Sequence, residues 1–304
     1  MQHIGVIVNH ANPRAPQALR QVAATAARLG LTLHADEATC RLAGGGISTV
    51  ATVEAFQNLV EAVVVLGGDG TLLHAAHTLE ASGLPLMGFN IGSLGYLASV
   101  DAAHFDEALA ALRDGSHQIS ERTTLSARII RADGTSSTIG LKALNDVVVT
   151  RGASARLVHL GLGLNGQHVT TCACDGIIVA TATGSTAYSL AAGGPILLPE
   201  TPALTICVIC PHALGARPLV VPVASTITLC CKESPGQQLL ALDGRECGIL
   251  EQGDLVEITR SPVVVRIASL VESNPLAVLN RKLGWGGALE GRLRHHTGGE
   301  CCQP

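Results

Sequence analysis

The segment Val65-Leu66-Gly67-Gly68-Asp69-Gly70-Thr71-Leu72-Leu73 sets one carboxylate among three glycines, between two apolar runs. Glycine lets a backbone come close to a phosphate, and a helix N-terminus offers free N–H donors and partial positive charge. A carboxylate repels phosphate, so Asp69 needs its own account. In one, Asp69 or Thr71 caps the helix that follows, a common task for both residue types. In the other, Asp69 faces an acceptor hydroxyl while the glycine backbone holds a donor's phosphates. Phosphoryl transfer asks a protein mainly to position groups and neutralise charge, and an aspartate can accept the hydroxyl proton. A helix N-terminus favours negative charge there. No Gly-Lys-Ser or Gly-Lys-Thr follows the turn, and it does not match G-x-G-x-x-G, so it is neither a Walker motif nor the dinucleotide fingerprint.

The surrounding elements must hold this turn in place. Residues 1 to about 100 alternate between two patterns. HIGVIVN, LTLHA, AVVVLGG and LPLMGFN read as strands, the third apolar throughout, as a strand covered on both faces should be. Residues 16–30 carry Leu19, Val22, Ala23, Ala26 and Leu29 at helical spacing, with Gly30 placed to stop the helix. TVEAFQNLVE, LLHAAHTLEASG and DAAHFDEALAALRDG are further helices. Such alternation predicts an α/β domain with a parallel sheet and helices on both faces. From about 120 to 270 the chain turns to short strand-like segments, with Asp-Gly in RADGTS and Asn-Gly in GLNGQH placed for tight hairpins. This half reads as β-rich and sandwich-like, interrupted by one helical piece starting near Ser185. The tail NPLAVLNRKLGWG is helical. The expected division is 1–120, 121–270 and a C-terminal segment, 271–304, that packs back on the first domain.

Composition narrows the function. The chain has 304 residues, 47% hydrophobic and 14% charged, ample for buried cores. A net charge of -4 with scattered Lys and Arg gives no general attraction to nucleic acid or anionic membrane. Aromatics at 2% leave no stacking platform for single strands. No stretch has the apolar length that spans a bilayer, and the N-terminus lacks a signal-peptide pattern, so a cytoplasmic location is expected. Ten cysteines include Cys207 and Cys210 as C-x-x-C, Cys172 and Cys174 as C-x-C, and the pairs Cys230-Cys231 and Cys301-Cys302. Cys207 and Cys210 lie in ALTICVIC, which alternates like a strand rather than a metal knuckle. The cysteines read as reduced, small hydrophobes, and no metal site is expected.

Gly67-Gly68-Asp69-Gly70-Thr71 resembles the signature shared by the NAD kinases, the diacylglycerol-type lipid kinases and the phosphofructokinases. The remaining motifs select the first. GFNIGSLGYLA (88–98), LNDVVVTRG (144–152), DGIIVATATGSTAYSLAAGGPIL (175–197), CPHALGARPLVVP (210–222) and LNRKLGW (279–285) resemble NAD kinase segments in the expected order. The resemblance implies transfer of the terminal phosphoryl group of ATP to the 2′-hydroxyl of the adenosine ribose of NAD, giving NADP. It implies Asp69 as proton acceptor or hydroxyl-orienting group, and Gly67, Gly68, Gly70 and Thr71 along the phosphates. His74 falls where the family often has a basic residue near phosphate; as sequence alone it is equally a surface helix histidine. Asn145 and Asp146 match NAD-binding positions, and an amide with a carboxylate suits an adenine edge and ribose hydroxyls. Asp175 would face the nicotinamide amide, although Asp-Gly is also a plain turn. Thr183, Gly184, Ser185, Thr186, Ala187 and Tyr188 form a hydroxyl-rich turn with one aromatic face for a nucleotide; the plain alternative is a Ser/Thr helix cap.

The chain departs from the pattern at four places. Ala182 stands where a proline is frequent, Ala173 where relatives carry an arginine, Arg245 where glutamine is frequent, and Ser93 where a longer polar residue is usual. Arg245 offers a positive charge from a different direction than the one lost at Ala173. Mg2+ or another divalent cation is expected with ATP, because metal bridges the donor oxygens. A site spanning two domains or two subunits suits a homo-oligomer, a dimer or tetramer.

Overall fold

The computed structural model describes residues 1–80, 82–92, 95–98, 100–153, 156–232, 236–271 and 275–284. Ser93, Trp285 and Cys301-Cys302 lie outside the described residues. The first half runs β1 (His3–Val8), α1 (Ala15–Leu29), β2 (Thr32–Ala35), α2 (Glu37–Ala43), β3 (Ser48–Thr49), α3 (Val53–Leu59), β4 (Ala62–Gly67), α4 (Asp69–Thr78), β5 (Leu86–Asn90), β6 (Val100–Asp101) and α5 (Phe105–Asp114). The second runs β7 (Gln118–Ile130), β8 (Ser136–Thr138), β9 (Asp146–Thr150), β10 (Val158–Leu164), β11 (Gln167–Cys174), β12 (Gly176–Ala180), α6 (Tyr188–Ala191), β13 (Ala203–Ile209), β14 (Leu219–Pro222), β15 (Ile227–Cys231), β16 (Gln238–Leu242), β17 (Arg245–Leu250) and β18 (Leu255–Ser269), and α7 (Pro275–Leu283) follows.

Strands β3-β2-β1-β4-β5 are parallel neighbours in that order. All six residues of β4 are buried, as its unbroken apolar run requires. α1 begins with proline in its first turn and ends at Gly30, whose φ of 71° lets its N–H reach back to the carbonyls of Ala26 and Ala27. The sequence pattern did not reveal α2, a helix of 7 residues. Its N-cap is Asp36, whose carboxylate accepts from the Thr39 N–H at 2.6 Å, and its apolar stripe is too short to register as a period.

The second half packs a six-stranded sheet, β14-β13-β12-β9-β16-β17, against the antiparallel part of a larger one. That larger sheet has 12 strands and includes the parallel strands of the first half. The join is β18, which runs through both DLVEITR and VVVRIAS, two segments that read separately as short strands. It is one strand of 15 residues, paired with β7 along its length. Near one end it pairs antiparallel with β15, and near the other Ile267 pairs parallel with Leu86 of β5. The pairing with β7 shifts register between Arg260 and Val264, where the strand bulges. A boundary at residue 120 therefore falls inside β7.

Two-residue hairpins occur where both central residues adopt positive φ: Asn165 and Gly166 at 50° and 79°, and Asp243 and Gly244 at 49° and 75°. The first was legible in the sequence. Asp133-Gly134 instead belongs to the longer connection between Ile130 and Ser136. Burial pushes the thiols of Cys174 and Cys231 up to about 12, consistent with cysteines used as small apolar side chains.

Candidate active site

In a 3-2-1-4-5 parallel sheet the order reverses between the first and fourth strands, and ligands bind in the crevice beyond the carboxyl ends there. A cleft of about 570 Å3 occupies that position, lined by Val8 at the end of β1, by Asn9, His10 and Ala11 after it, and by Gly68, Gly70, Thr71 and His74 after β4. The glycine turn thus stands where a doubly wound fold presents backbone to a ligand. Gly67 is the exception, because the space a side chain would take there is filled by Thr71, whose Oγ1 lies 2.1 Å from the ideal Cβ position.

The cap reading of Asp69 does not hold. The N-cap of α4 is Gly68, with no side-chain cap, and Asp69 is the first helical residue. Its carboxylate turns to the segment after β5. It accepts from the backbone N–H groups of Tyr96 at 2.8 Å, Leu97 at 2.8 Å and Ala98 at 3.0 Å. Lys282 of α7 donates to the same carboxylate at 3.3 Å. The side chain keeps about a third of its surface exposed, 33%, so the carboxylate is held and still open to a reactant. Gly95 makes the cradle feasible, since a Cβ there would stand 2.1 Å from Asp69 Oδ1.

His74, one turn into α4, meets Arg245 of β17, whose guanidinium donates to His74 Nδ1 at 3.1 Å. Arg245 therefore brings its charge from the β-rich half to His74, which lines the cleft. Deeper in, the Asp243 carboxylate is fully buried and accepts four hydrogen bonds. Three come from the backbone N–H groups of Leu144, Asn145 and Asp146, at 2.7, 2.7 and 2.9 Å. The fourth is from His77 Nε2 at 2.7 Å. Asp146 is 5% exposed, and burial, then the Asp243 carboxylate, push its acid up to about 7.

The Thr183–Tyr188 turn packs onto the same strand entry. The Asn145 carbonyl accepts from the Thr181 N–H at 2.9 Å, and the Thr181 hydroxyl donates to the Leu144 carbonyl at 2.6 Å. Gly184 lies directly against the Asn145 backbone. The expected helix opening is a single tight turn at Gly184–Thr186, then a helix of 4 residues. Ser185 does not cap it. Its buried hydroxyl donates to the Ala182 carbonyl at 2.7 Å and accepts from the Leu197 N–H at 2.9 Å. The Thr186 hydroxyl donates to the Thr183 carbonyl, Thr183 is buried, and Tyr188 presents its ring with 46% exposure. Asp175 pairs with Arg151 at 3.0 Å, at the far end of β12 from Ala180.

Sequence reasoning missed the Asp243–His77 pair, Lys282, Arg151 and the donors at 96–98. A backbone N–H has no residue identity to read. The clue available for Asp243 was its Asp-Gly dipeptide, which is a hairpin signal.

The chain as a whole is similar to known proteins. Residues 4–117 match the model of the ATP-NAD kinase N-terminal domain, and residues 144–270 that of the ATP-NAD kinase C-terminal domain. The NAD kinase of Nitrosococcus oceani is 37% identical over 286 residues, covering 93% of this chain and 96% of its own. That of Citrifermentans bemidjiense is 35% identical over 294 residues, covering 94% and 99%. Among solved structures, yeast NADH kinase complexed with NADH superposes with a TM-score of 0.87 at 25% identity, over 95% of this chain and 89% of that one. An Archaeoglobus fulgidus NAD kinase in complex with ATP shares the fold, with a TM-score of 0.67 at 22% identity over 97% and 100% of the two chains. With its glycine turn at the sheet's switch point and relatives of this identity along nearly its whole length, the chain belongs to the NAD kinase family.

Proposed function

We propose that this protein transfers the terminal phosphoryl group of ATP to the 2′-hydroxyl of the adenosine ribose of NAD, giving NADP. The observation that carries the reading is the Asp69 carboxylate, held by three backbone N–H groups beside the switch-point cleft and still partly open. The donor's phosphates lie along Gly68, Gly70 and Thr71, next to the N-terminus of α4 and the His74–Arg245 pair. Mg2+ enters with ATP as part of the substrate and neutralises charge on the donor oxygens. Asp69 orients the ribose hydroxyl and takes its proton. Asn145, Asp146 and the turn ending at Tyr188 hold the acceptor nucleotide, because Asp243 and Thr181 lock that backbone in place. Asp175 faces the amide end of NAD from its pairing with Arg151.

No helix among the described residues is long and apolar enough to cross a membrane. A cytoplasmic homo-oligomer, dimer or tetramer, suits the chain. The strands that end the two sheets expose apolar side chains, Val169 at 46% on β11, and Val220 at 52% on β14. Sedimentation of the purified protein reads the assembly.

The reaction is tested by incubating the protein with NAD, ATP and Mg2+ and measuring NADP. Asp69→Asn is expected to lower turnover by about 1000-fold while NAD binding stays measurable. Activity within tenfold of the unaltered chain would remove Asp69 from the chemistry.

A further inference from the structure

The helix α7 returns from the end of β18 to the rim of the parallel sheet. Leu279 anchors it, 2% exposed. On the following turn Arg281 reaches Asp101 at 3.9 Å, and Lys282 reaches Asp69 at 3.3 Å. The first contact ties the helix to β6. The second sets an ammonium against the carboxylate that the reaction uses, with 37% of the Lys282 side chain exposed. A lysine that only pinned a helix would serve as well on any surface acid.

We propose that Lys282 is a second catalytic residue, a cation for the phosphoryl group in flight; this rests on the reaction proposed above. The distances set the argument. A hydroxyl oxygen sits about 2.7 Å from the carboxylate that accepts its proton, and the attacked phosphorus about 3 Å beyond that oxygen. An ammonium 3.3 Å from Asp69 Oδ2 therefore has the phosphoryl oxygens within the swing of its four-carbon stem. The 2′-oxygen forms its bond to phosphorus as the bond from phosphorus to the bridging donor oxygen breaks. ADP leaves with that electron pair, and the hydroxyl proton passes to Asp69. Lys282 stays protonated throughout. Its charge first offsets repulsion between Asp69 and the incoming phosphates, then stabilises the equatorial oxygens of the transferring group. Lysine suits this task, being a compact point charge with three donors on a flexible stem.

The test compares Lys282→Met and Lys282→Arg in the full chain. Lys282→Met is expected to lower kcat by about 30-fold or more, with the KM for NAD within about threefold, the signature of an interaction made in the transition state. Its melting temperature is expected within about 2 °C of the unaltered chain, and Lys282→Arg to recover at least about a third of kcat. The role is overturned if Lys282→Met keeps kcat within about threefold, raises KM alone, or loses activity to the same extent as Lys282→Arg. Failure of the unaltered chain to make NADP would instead sink the reaction itself.

Discussion

His77 Nε2 lies 2.7 Å from Oδ2 of Asp243, and both side chains are sealed from solvent. The contact joins α4, which follows the glycine turn, to the hairpin between β16 and β17. The same carboxylate holds the N–H groups of Leu144, Asn145 and Asp146, so one buried anion registers α4 and its glycine turn against the entry of β9.

Asp243→Asn puts an amide NH2 where an acceptor is required, leaving a buried backbone N–H without a partner. The expected cost is about 2 kcal/mol of stability, read as a lower urea midpoint. The KM for NAD is expected to rise about tenfold as the Asn145–Asp146 backbone loosens, with a smaller change in kcat.

Asp146 gives stability a pH dependence of defined sign. Its acid lies at about 7 in the folded chain, against an ordinary value of 3.8. The folded state therefore holds the proton more tightly, and the stabilisation this confers is complete below 3.8 and lost as pH rises through about 7. Asp146→Asn is expected to flatten that dependence. Melting temperatures at pH 5 and pH 8 check it, with the substitution gaining roughly 4 °C on the unaltered chain at the higher pH.

Gly95 separates fold from chemistry. In Gly95→Ala the new methyl would stand 2.1 Å from Asp69 Oδ1, so the carboxylate must leave its cradle. A fall in kcat of about 100-fold is expected in steady-state assays, since misplacing a reacting group by about an ångström costs that much. Circular dichroism should show an unchanged fold, because the severe clash is with one partly exposed side chain and the Ala98 carbonyl, at 3.3 Å, needs to give only slightly.

The parallel half was legible, apart from short elements such as α2, because its longer strands and helices each carry their own period. β4 reads as buried from six consecutive positions, and α1 is bracketed by a proline and a glycine. The antiparallel half was legible in kind and less so in detail. Nothing local told DLVEITR and VVVRIAS that they are one strand, because a bulge interrupts the alternation. The Thr183–Tyr188 segment was legible as motif, whereas the engagement of Ser185 within its own turn was not.

By itself, the sequence determined that a glycine-cradled aspartate sits between a buried strand and a helix, and that the chain carries NAD kinase motifs in order. Only the tertiary structure decided what that aspartate touches. Its donors lie 27 to 29 residues away as anonymous backbone N–H groups, and its cation 213 residues away. Local pattern encodes elements because propensity and burial act over a few residues. Contacts across such separations depend on where the sheet brings its strand ends, and only the folded chain expresses that.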